Sequence, residues 1–277
     1  MKNILLPTDF SENSLNAIDY AMHFFMNWEC NFYILNVKKM SEYISDDLVA
    51  GSKTNTIYDS IANDNKKLLN QLIKKLDKQF SMQSYTFQGL FNYDNFISAI
   101  DQTVQIHSID LIIMGTNGAT GAKEVLFGSN TLQVIRKINC PTLTIPEHYE
   151  YTSVRRALFT THRCEDISYI DIKAFKEMLN MHQCELNVLE LDDDAIVISR
   201  REDSKCVRAL FPEYPYTYYS LNTIPGLIAV NTATQLLKVD IHAAFIEKET
   251  FLDRLLFGSE NSKLAYGSLI PLLFLHR

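Results

Sequence analysis

Residues 2–146 alternate between short apolar runs and segments of helical periodicity, and few folds accept that pattern. The runs "KNILLPT", "NFYILNV", "SYTFQGLF", "DLIIMG" and "CPTLTIP" have the length and composition of buried strands. Between them lie "SENSLNAIDYAMHFFMNW", where Ser11 can cap a helix, then "YDSIANDNKKLLNQLIKKLDKQF", "DNFISAIDQTVQIHS" and "SNTLQVIRKI". A polar stretch from Lys38 to about Thr56 reads as a loop. Strands alternating with helices predict a parallel sheet covered on both faces. Ligands of such sheets bind beyond the carboxyl ends of the strands. Two loops meet that condition: Pro7, Thr8 and Asp9 after the first run, and a glycine loop opening at Gly115 after the fourth.

The second half repeats the first. "CNFYILNV" from Cys30 returns as "CELNVLEL" from Cys184, "NILLPTD" as "RALFTTH", "LFGS" at 126 as "LFGS" at 256, and "PTLTI" as "PLLFL". The offset falls from 154 at the cysteines to 130 at "LFGS", so the second copy has lost about 24 residues from its middle. Two domains are expected, residues 1–148 and 153–277, joined near "EHYEYTS".

A chain of 277 residues with 47% hydrophobic and 21% charged residues is a core-forming globular protein. Its net charge of −7 disfavours a general nucleic-acid binder, though a local basic pocket for one nucleotide remains open. No apolar run has the roughly 18 residues that cross a bilayer, and the N-terminus reads as a strand and not a signal peptide. The five cysteines are odd in number, far apart and free of C-x-x-C spacing. Zinc and thioredoxin chemistry are therefore not expected, and a reducing cytoplasm is.

Glycine is scarce, 9 in 277, yet Gly115, Gly118, Gly121 and Gly128 fall within one short loop. Glycine lets backbone approach a ligand with no Cβ in the way, and successive N–H groups make a concavity for an anion. Ser129 and Thr131 open the next helix, whose first N–H groups and positive dipole end suit a phosphate. The spacing is neither a Walker A loop nor G-x-G-x-x-G. A flexible turn capped by Gly128 and Ser129 explains the glycines alone equally well.

G-x-x-G-x9-G-[ST] after the fourth strand, with "PTD" after the first, resembles the universal stress protein family. The likeness covers the whole first domain and, more weakly, the second, as in a tandem member. It implies two α/β domains, each a five-stranded, mainly parallel sheet flanked by helices, Rossmann-like and similar to adenine nucleotide alpha hydrolases. It also implies ATP binding, with Mg²⁺, as a regulatory or signalling ligand of a stress response. Residue by residue, the resemblance carries the adenosine-side loop onto Pro7, Thr8 and Asp9, and adenine-facing backbone onto Val37. It carries the ribose and phosphate loop onto Met114, Gly115, Asn117 and Gly118, and the phosphate-binding helix start onto Gly128, Ser129, Asn130 and Thr131. Asp9 could help hold Mg²⁺ or serve as a turn residue beside Ser11. The family's pairing through its last strand implies that "PTLTIP" and "PLLFLH" pair within the chain as a pseudo-dimer, which could itself form a homodimer.

The second copy departs from the motif. Gly115 becomes Phe245, Gly118 becomes Lys248, Asp9 becomes His162 and Thr131 becomes Asn261; only Gly258 and Ser259 survive. It is expected to keep the fold, lack the site and serve assembly. No catalytic residue is assigned, since neither G-x-S-x-G nor H-E-x-x-H occurs. "LDDDAI" reads as a solvated loop before a metal cluster, and "FPEYPYTYY" as cover for the shortened middle before a partner surface. The rival readings are an ATP-cleaving enzyme of the alpha hydrolase group, against which "PTDFSENS" counts, and a nucleotide-free scaffold.

Overall fold

A computed structural model describes residues 1–38, 54–116, 127–161, 164, 167–192, 205–222, 226–245 and 270–276. The strands are β1 (Lys2–Pro7), β2 (Cys30–Val37), β3 (Tyr85–Asn92), β4 (Leu111–Gly115) and β5 (Thr142–Ile145), then β6 (Arg156–Thr161), β7 (Glu185–Asp192), β8 (Tyr216–Asn222), β9 (Ile241–Phe245) and β10 (Leu272–Leu275). The helices are α1 (Glu12–Phe24), α2 (Thr54–Gln79), α3 (Phe96–His107) and α4 (Ser129–Lys137), then α5 (Lys173–His182), α6 (Lys205–Leu210) and α7 (Gly226–Leu236).

All ten strands form one sheet, ordered β3-β2-β1-β4-β5-β10-β9-β6-β7-β8. Every pairing is parallel except the central one, where β5 and β10 run antiparallel with Leu143 opposite Leu273. The two five-stranded halves are therefore joined edge to edge, and no sheet edge is left open at the seam. Strands buried on both faces explain the unbroken apolar runs: β4, β5, β9 and β10 are buried at nearly every position. One core runs across both halves on the face holding α1 and α5. The opposite face divides into a cluster beneath α3 and α4 and another around α7.

Register makes the internal repeat quantitative. Ile4 pairs with Leu111, and Ala157 with Ile241. Ile112 pairs with Thr142, and His242 with Leu272. Asn3 pairs with Asn31, and Arg156 with Glu185. These pairings superpose β1 on β6, β4 on β9 and β5 on β10, so Gly115 and Phe245 occupy the same place in the two halves. Between β2 and β3 the N-terminal half holds the 26-residue α2; among the described residues the C-terminal half holds the 6-residue α6 between β7 and β8. That is where the second copy is shorter.

Local signals set the helix ends. Ser11 caps α1 by accepting from the Ser14 N–H, and Asn95 caps α3 by accepting from the Ile97 N–H. The periodic pattern predicts α1 to Trp28, but the helix stops at Phe24, and Asn27 takes a left-handed conformation with φ 69°. The cysteines also depart from expectation: Cys164 and Cys206 form a disulfide across a sequence separation of 42. The fold brings the segment after β6 beside the start of α6, a proximity that spacing along the chain does not reveal.

Candidate functional site

The carboxyl ends of β1 and β4 lie side by side in the N-terminal half, and the start of α4 is drawn against them. The Gly128 N–H donates to the Thr116 carbonyl at 2.7 Å, so the chain leaves β4 and returns to the same point to begin α4. The Thr131 hydroxyl donates to the Gly115 carbonyl at 3.0 Å and clamps the helix start to the strand end. Gly128 is the N-cap and offers no side chain to the first turn. The leading N–H groups of any α-helix lack intrahelical acceptors, so Ser129 and Asn130, both exposed, present donors that no side chain of the described residues caps, together with the positive end of a dipole.

The β1 loop is rigidly shaped. Phe10 has φ 64°, a conformation that costs a non-glycine residue about 1–2 kcal/mol. Its N–H donates to the Thr8 hydroxyl at 3.0 Å, and that hydroxyl also hydrogen-bonds Ser14 at 2.9 Å. Beneath it, the buried Asn36 carboxamide donates to the Thr8 carbonyl at 2.7 Å, tying the end of β2 to the loop. Asp9 is exposed, and one of its oxygens accepts both the Ser11 N–H at 3.0 Å and the Ser11 hydroxyl at 2.5 Å. Partial burial alone would raise the Asp9 pKa, but hydrogen bonds from Ser11 and Ser14 outweigh it and hold the carboxyl below its ordinary value. Asp9 is thus an ionised turn residue facing solvent.

The expected residues separate into three groups. Asp9, Gly128, Ser129 and Asn130 are exposed or half-buried around one mouth, with Val37 half-buried at the end of β2. Pro7, Thr8, Met114, Gly115 and Thr131 are buried beneath that mouth, and the Thr8 and Thr131 hydroxyls are already engaged within the protein. Asn117 and Gly118 lie outside the described residues, as do His162, Lys248, Gly258, Ser259 and Asn261.

Gly115 has a packing reason to lack a side chain: a Cβ there would lie 2.6 Å from the Asn13 carboxamide of α1. Close approach is required, as the glycine pattern predicts, but the group that approaches is Asn13. Asn13, Asn36 and Thr116 are contributors that the sequence did not single out. The Thr116 hydroxyl, beside Gly115, is buried without a hydrogen-bond partner among the described residues. Thr116 sits inside the glycine loop, so its position was the available signal; Asn13 and Asn36 gave none.

The C-terminal half carries different groups at the same register. Phe245 is 2% exposed and carries a ring where the equally buried Gly115 leaves its space to the Asn13 carboxamide. Leu191, buried, stands where Val37 is half-buried. Glu190 replaces Asn36 and accepts from the Tyr218 hydroxyl. Thr160 replaces Pro7 and hydrogen-bonds the ring of the fully buried His242 at 2.8 Å. Phe211, at the head of the aromatic segment, is 1% exposed and meets Phe159 and Phe175 edge-on, so this residue belongs to the core. Among the described residues no cluster of His, Cys, Asp and Glu could hold a metal, and no helix is long and apolar enough to cross a membrane. Asp193 and Asp194 lie outside the described residues.

The universal stress protein family model matches residues 1–146. Universal stress protein MJ0531 of Methanocaldococcus jannaschii is 27% identical over 146 residues, covering 52% of this chain and 81% of its own. Universal stress protein MJ0577 of the same organism is 29% identical over 157 residues, covering 52% of this chain and 94% of its own. A universal stress protein from Archaeoglobus fulgidus matches 99% of this chain and 98% of its own in three dimensions, with a TM-score of 0.69 at 15% identity. That last likeness reaches both halves at the level of fold, and the family model covers more than half of the sequence: the chain belongs to the universal stress protein family.

Proposed function

We propose that residues 1–148 form a domain that binds ATP, with Mg²⁺, as a regulatory or signalling ligand of a stress response in the cytoplasm, and that residues 153–277 form a degenerate domain serving assembly. The observation that carries this reading is the uncapped start of α4 against the ends of β1 and β4, with the buried Thr116 hydroxyl beside it. The residues fit an anionic nucleotide. Ser129 and Asn130 offer backbone N–H groups and polar side chains to a phosphate chain. Thr8 and Thr131 shape the mouth, and Val37 lies where backbone could meet a base. Asp9 stands at the rim, where its carboxylate could reach a nucleotide hydroxyl or a phosphate-bound Mg²⁺.

Bound ATP would bring a triphosphate whose charge the α4 dipole and first-turn donors neutralise. The protein's own residues bind and orient; Asp9, with its lowered pKa, is a poor proton acceptor for hydrolysis. The C-terminal half carries Phe245 in place of Gly115 and supplies β10, which seals the edge of β5. Two chains could associate further as a homodimer.

Calorimetry with Mg-ATP on the full chain tests this. Saturable binding at one site per chain is expected, with loss of that binding in Gly118→Val. Absence of binding, or an unchanged affinity in the variant, would overturn the assignment.

A further inference from the structure

The sheet order leaves β3 at one end of the ten strands, and among the described residues nothing pairs with its outer side. Two bonds fix which of its backbone groups are free. The Cys30 N–H donates to the Ser84 carbonyl at 3.1 Å, and the Lys38 N–H to the Asn92 carbonyl at 2.9 Å. Backbone groups point to alternate sides along a strand, so the even-numbered residues face β2. Tyr85, Phe87, Gly89 and Phe91 therefore turn their N–H and C=O groups outward. Edge strands are usually protected by charge, proline or a bulge. β3 has none of these: its register with β2 is continuous from Tyr85 to Asn92, and no charged residue or proline lies between Lys78 and Asp94.

The outward residues also read the same in both directions. "YTFQGLFNY", residues 85–93, places Tyr, Phe, Gly, Phe and Tyr at alternate positions, with Gly89 at the centre. β8, at the other end of the sheet, reads "YTYYSLN" and has no such mirror. Gly89 has a packing reason of its own, since a Cβ there would lie 2.7 Å from the Ile73 Cδ1 of α2. Packing does not account for the symmetry around it. Phe87 stacks on Phe32 at 5.7 Å between centroids, whereas Phe91 lies 5.9 Å from the Lys66 ammonium and meets Tyr93 edge-on at 4.8 Å. The two phenylalanines have different neighbours, so nothing within the fold requires them to match.

We propose that β3 pairs antiparallel with β3 of a second copy of this chain, about a two-fold axis through Gly89. That register sets Phe87 opposite Phe91 of the second copy and Tyr85 opposite Tyr93. Gly89 faces its own counterpart. The outward groups of Phe87, Gly89 and Phe91 then meet as hydrogen-bonded pairs, and aromatic side chains stand across the strands from one another. A two-fold contact of this kind closes at two copies, and it requires the mirrored pattern that β3 carries. Antiparallel edge-to-edge pairing is the mode by which β5 and β10 already join the two halves. The inference rests on the reading that two chains associate further, and gives that association its surface. It does not depend on the nucleotide assignment.

Sedimentation of the full chain across a wide range of concentration tests this, with a monomer–dimer equilibrium and nothing larger expected. Gln88 is exposed and bonds β2 through its backbone, so Gln88→Lys should keep the fold. It enters the contact twice, and should weaken association by about tenfold. Met82→Lys, at a position 93% exposed and outside the strand, should leave association unchanged. Register is read by cross-linking. The pairing sets residue 88 opposite residue 90 of the second copy as a non-hydrogen-bonded pair, with Cα atoms about 4.5 Å apart, within reach of a disulfide. Gln88→Cys protein mixed with Leu90→Cys protein and oxidised should give a bridge between chains at these positions, and neither variant alone should. A dimer that survives Gln88→Lys, or that forms no such bridge, would overturn the β3 surface while leaving association standing. A monomer at every concentration would overturn both. Species that grow past the dimer would replace the two-fold contact with an open-ended one and overturn the proposal.

Discussion

The two halves share a strand register and differ where it ends. At the end of β4, Gly115 leaves room for the Asn13 carboxamide, and the chain loops back to an uncapped α4. At the end of β9, Phe245 fills the equivalent space and joins the core. The β1 loop is drawn tight by Thr8, Ser14 and Asn36 around a left-handed Phe10. The segment after β6 is held by a disulfide whose Cys164 aligns with the α1 cap Ser11. One scaffold thus supports a polar, shaped mouth and an apolar, filled one. The fold needs the strands; only the mouth needs the small and polar residues at their ends.

Exchanging the two residues at the shared position tests that contrast most severely. Phe245→Ala should cost about 4 kcal/mol of stability, the usual loss for a buried phenylalanine, and should create no ATP site. Gly115→Phe should abolish Mg-ATP binding, a loss of about a thousandfold or more, equal to about 4 kcal/mol. It should also lower stability, because its Cβ meets Asn13 at 2.6 Å. Urea melts and calorimetry on both variants check this. ATP binding gained by Phe245→Ala, or retained by Gly115→Phe, would erase the proposed division of labour.

The disulfide offers the next largest effect. Closing a loop of this length stabilises by about 4 kcal/mol. Cys164→Ser, or reduction, should lower the melting temperature and leave ATP affinity unchanged. The protein as folded should show three free thiols, Cys30, Cys140 and Cys184, and five after reduction. This pair also marks the limit of what the sequence reveals. The strands were legible because short apolar runs with no polar face have few other uses, and the repeat was legible because the register preserves Cys30 against Cys184 and Pro141 against Pro271. The mouth was legible only in outline. Gly115 announces close approach, but that Asn13 is what approaches depends on how α1 lies on the sheet. The Asn36 anchor and the Cys164–Cys206 pair likewise come from tertiary proximity, which no spacing rule encodes.

Acid should distinguish the halves by a smaller margin. Burial lowers the pKa of His182 to about 4 and of His242 to about 3, against 6.5 for a free imidazole. Both belong to the C-terminal half, and His242 stands where β4 carries Ile112. Because the folded pKa values are depressed, the unfolded chain binds protons below pH 6.5 while the folded one does not. Stability is therefore full above pH 6.5 and falls as the pH drops toward 4. At pH 5 each histidine should cost up to about 2 kcal/mol. His242→Ile, which installs the N-terminal residue, should reduce the difference between urea melts at pH 7 and pH 5. An unchanged difference would refute this assignment of the acid sensitivity.

Asp9 gives the smallest stability effect and the finest distinction. Its oxygen accepts both Ser11 donors, and an asparagine carbonyl can accept the same pair, so Asp9→Asn should cost under about 1 kcal/mol. The depressed carboxyl contributes stability above its unfolded pKa that is lost on acidification, and the variant should lose that small acid-dependent part. Binding separates the two roles of this residue. A carboxylate that only shapes the turn leaves ATP affinity and its Mg²⁺ dependence intact when replaced by an amide of the same shape. A carboxylate that helps hold the metal makes affinity rise with Mg²⁺ in the parent and stay flat in Asp9→Asn. The proposed Mg-ATP site requires the second pattern for Asp9 to count as a ligand; the first would return it to the turn that the hydrogen bonds already describe.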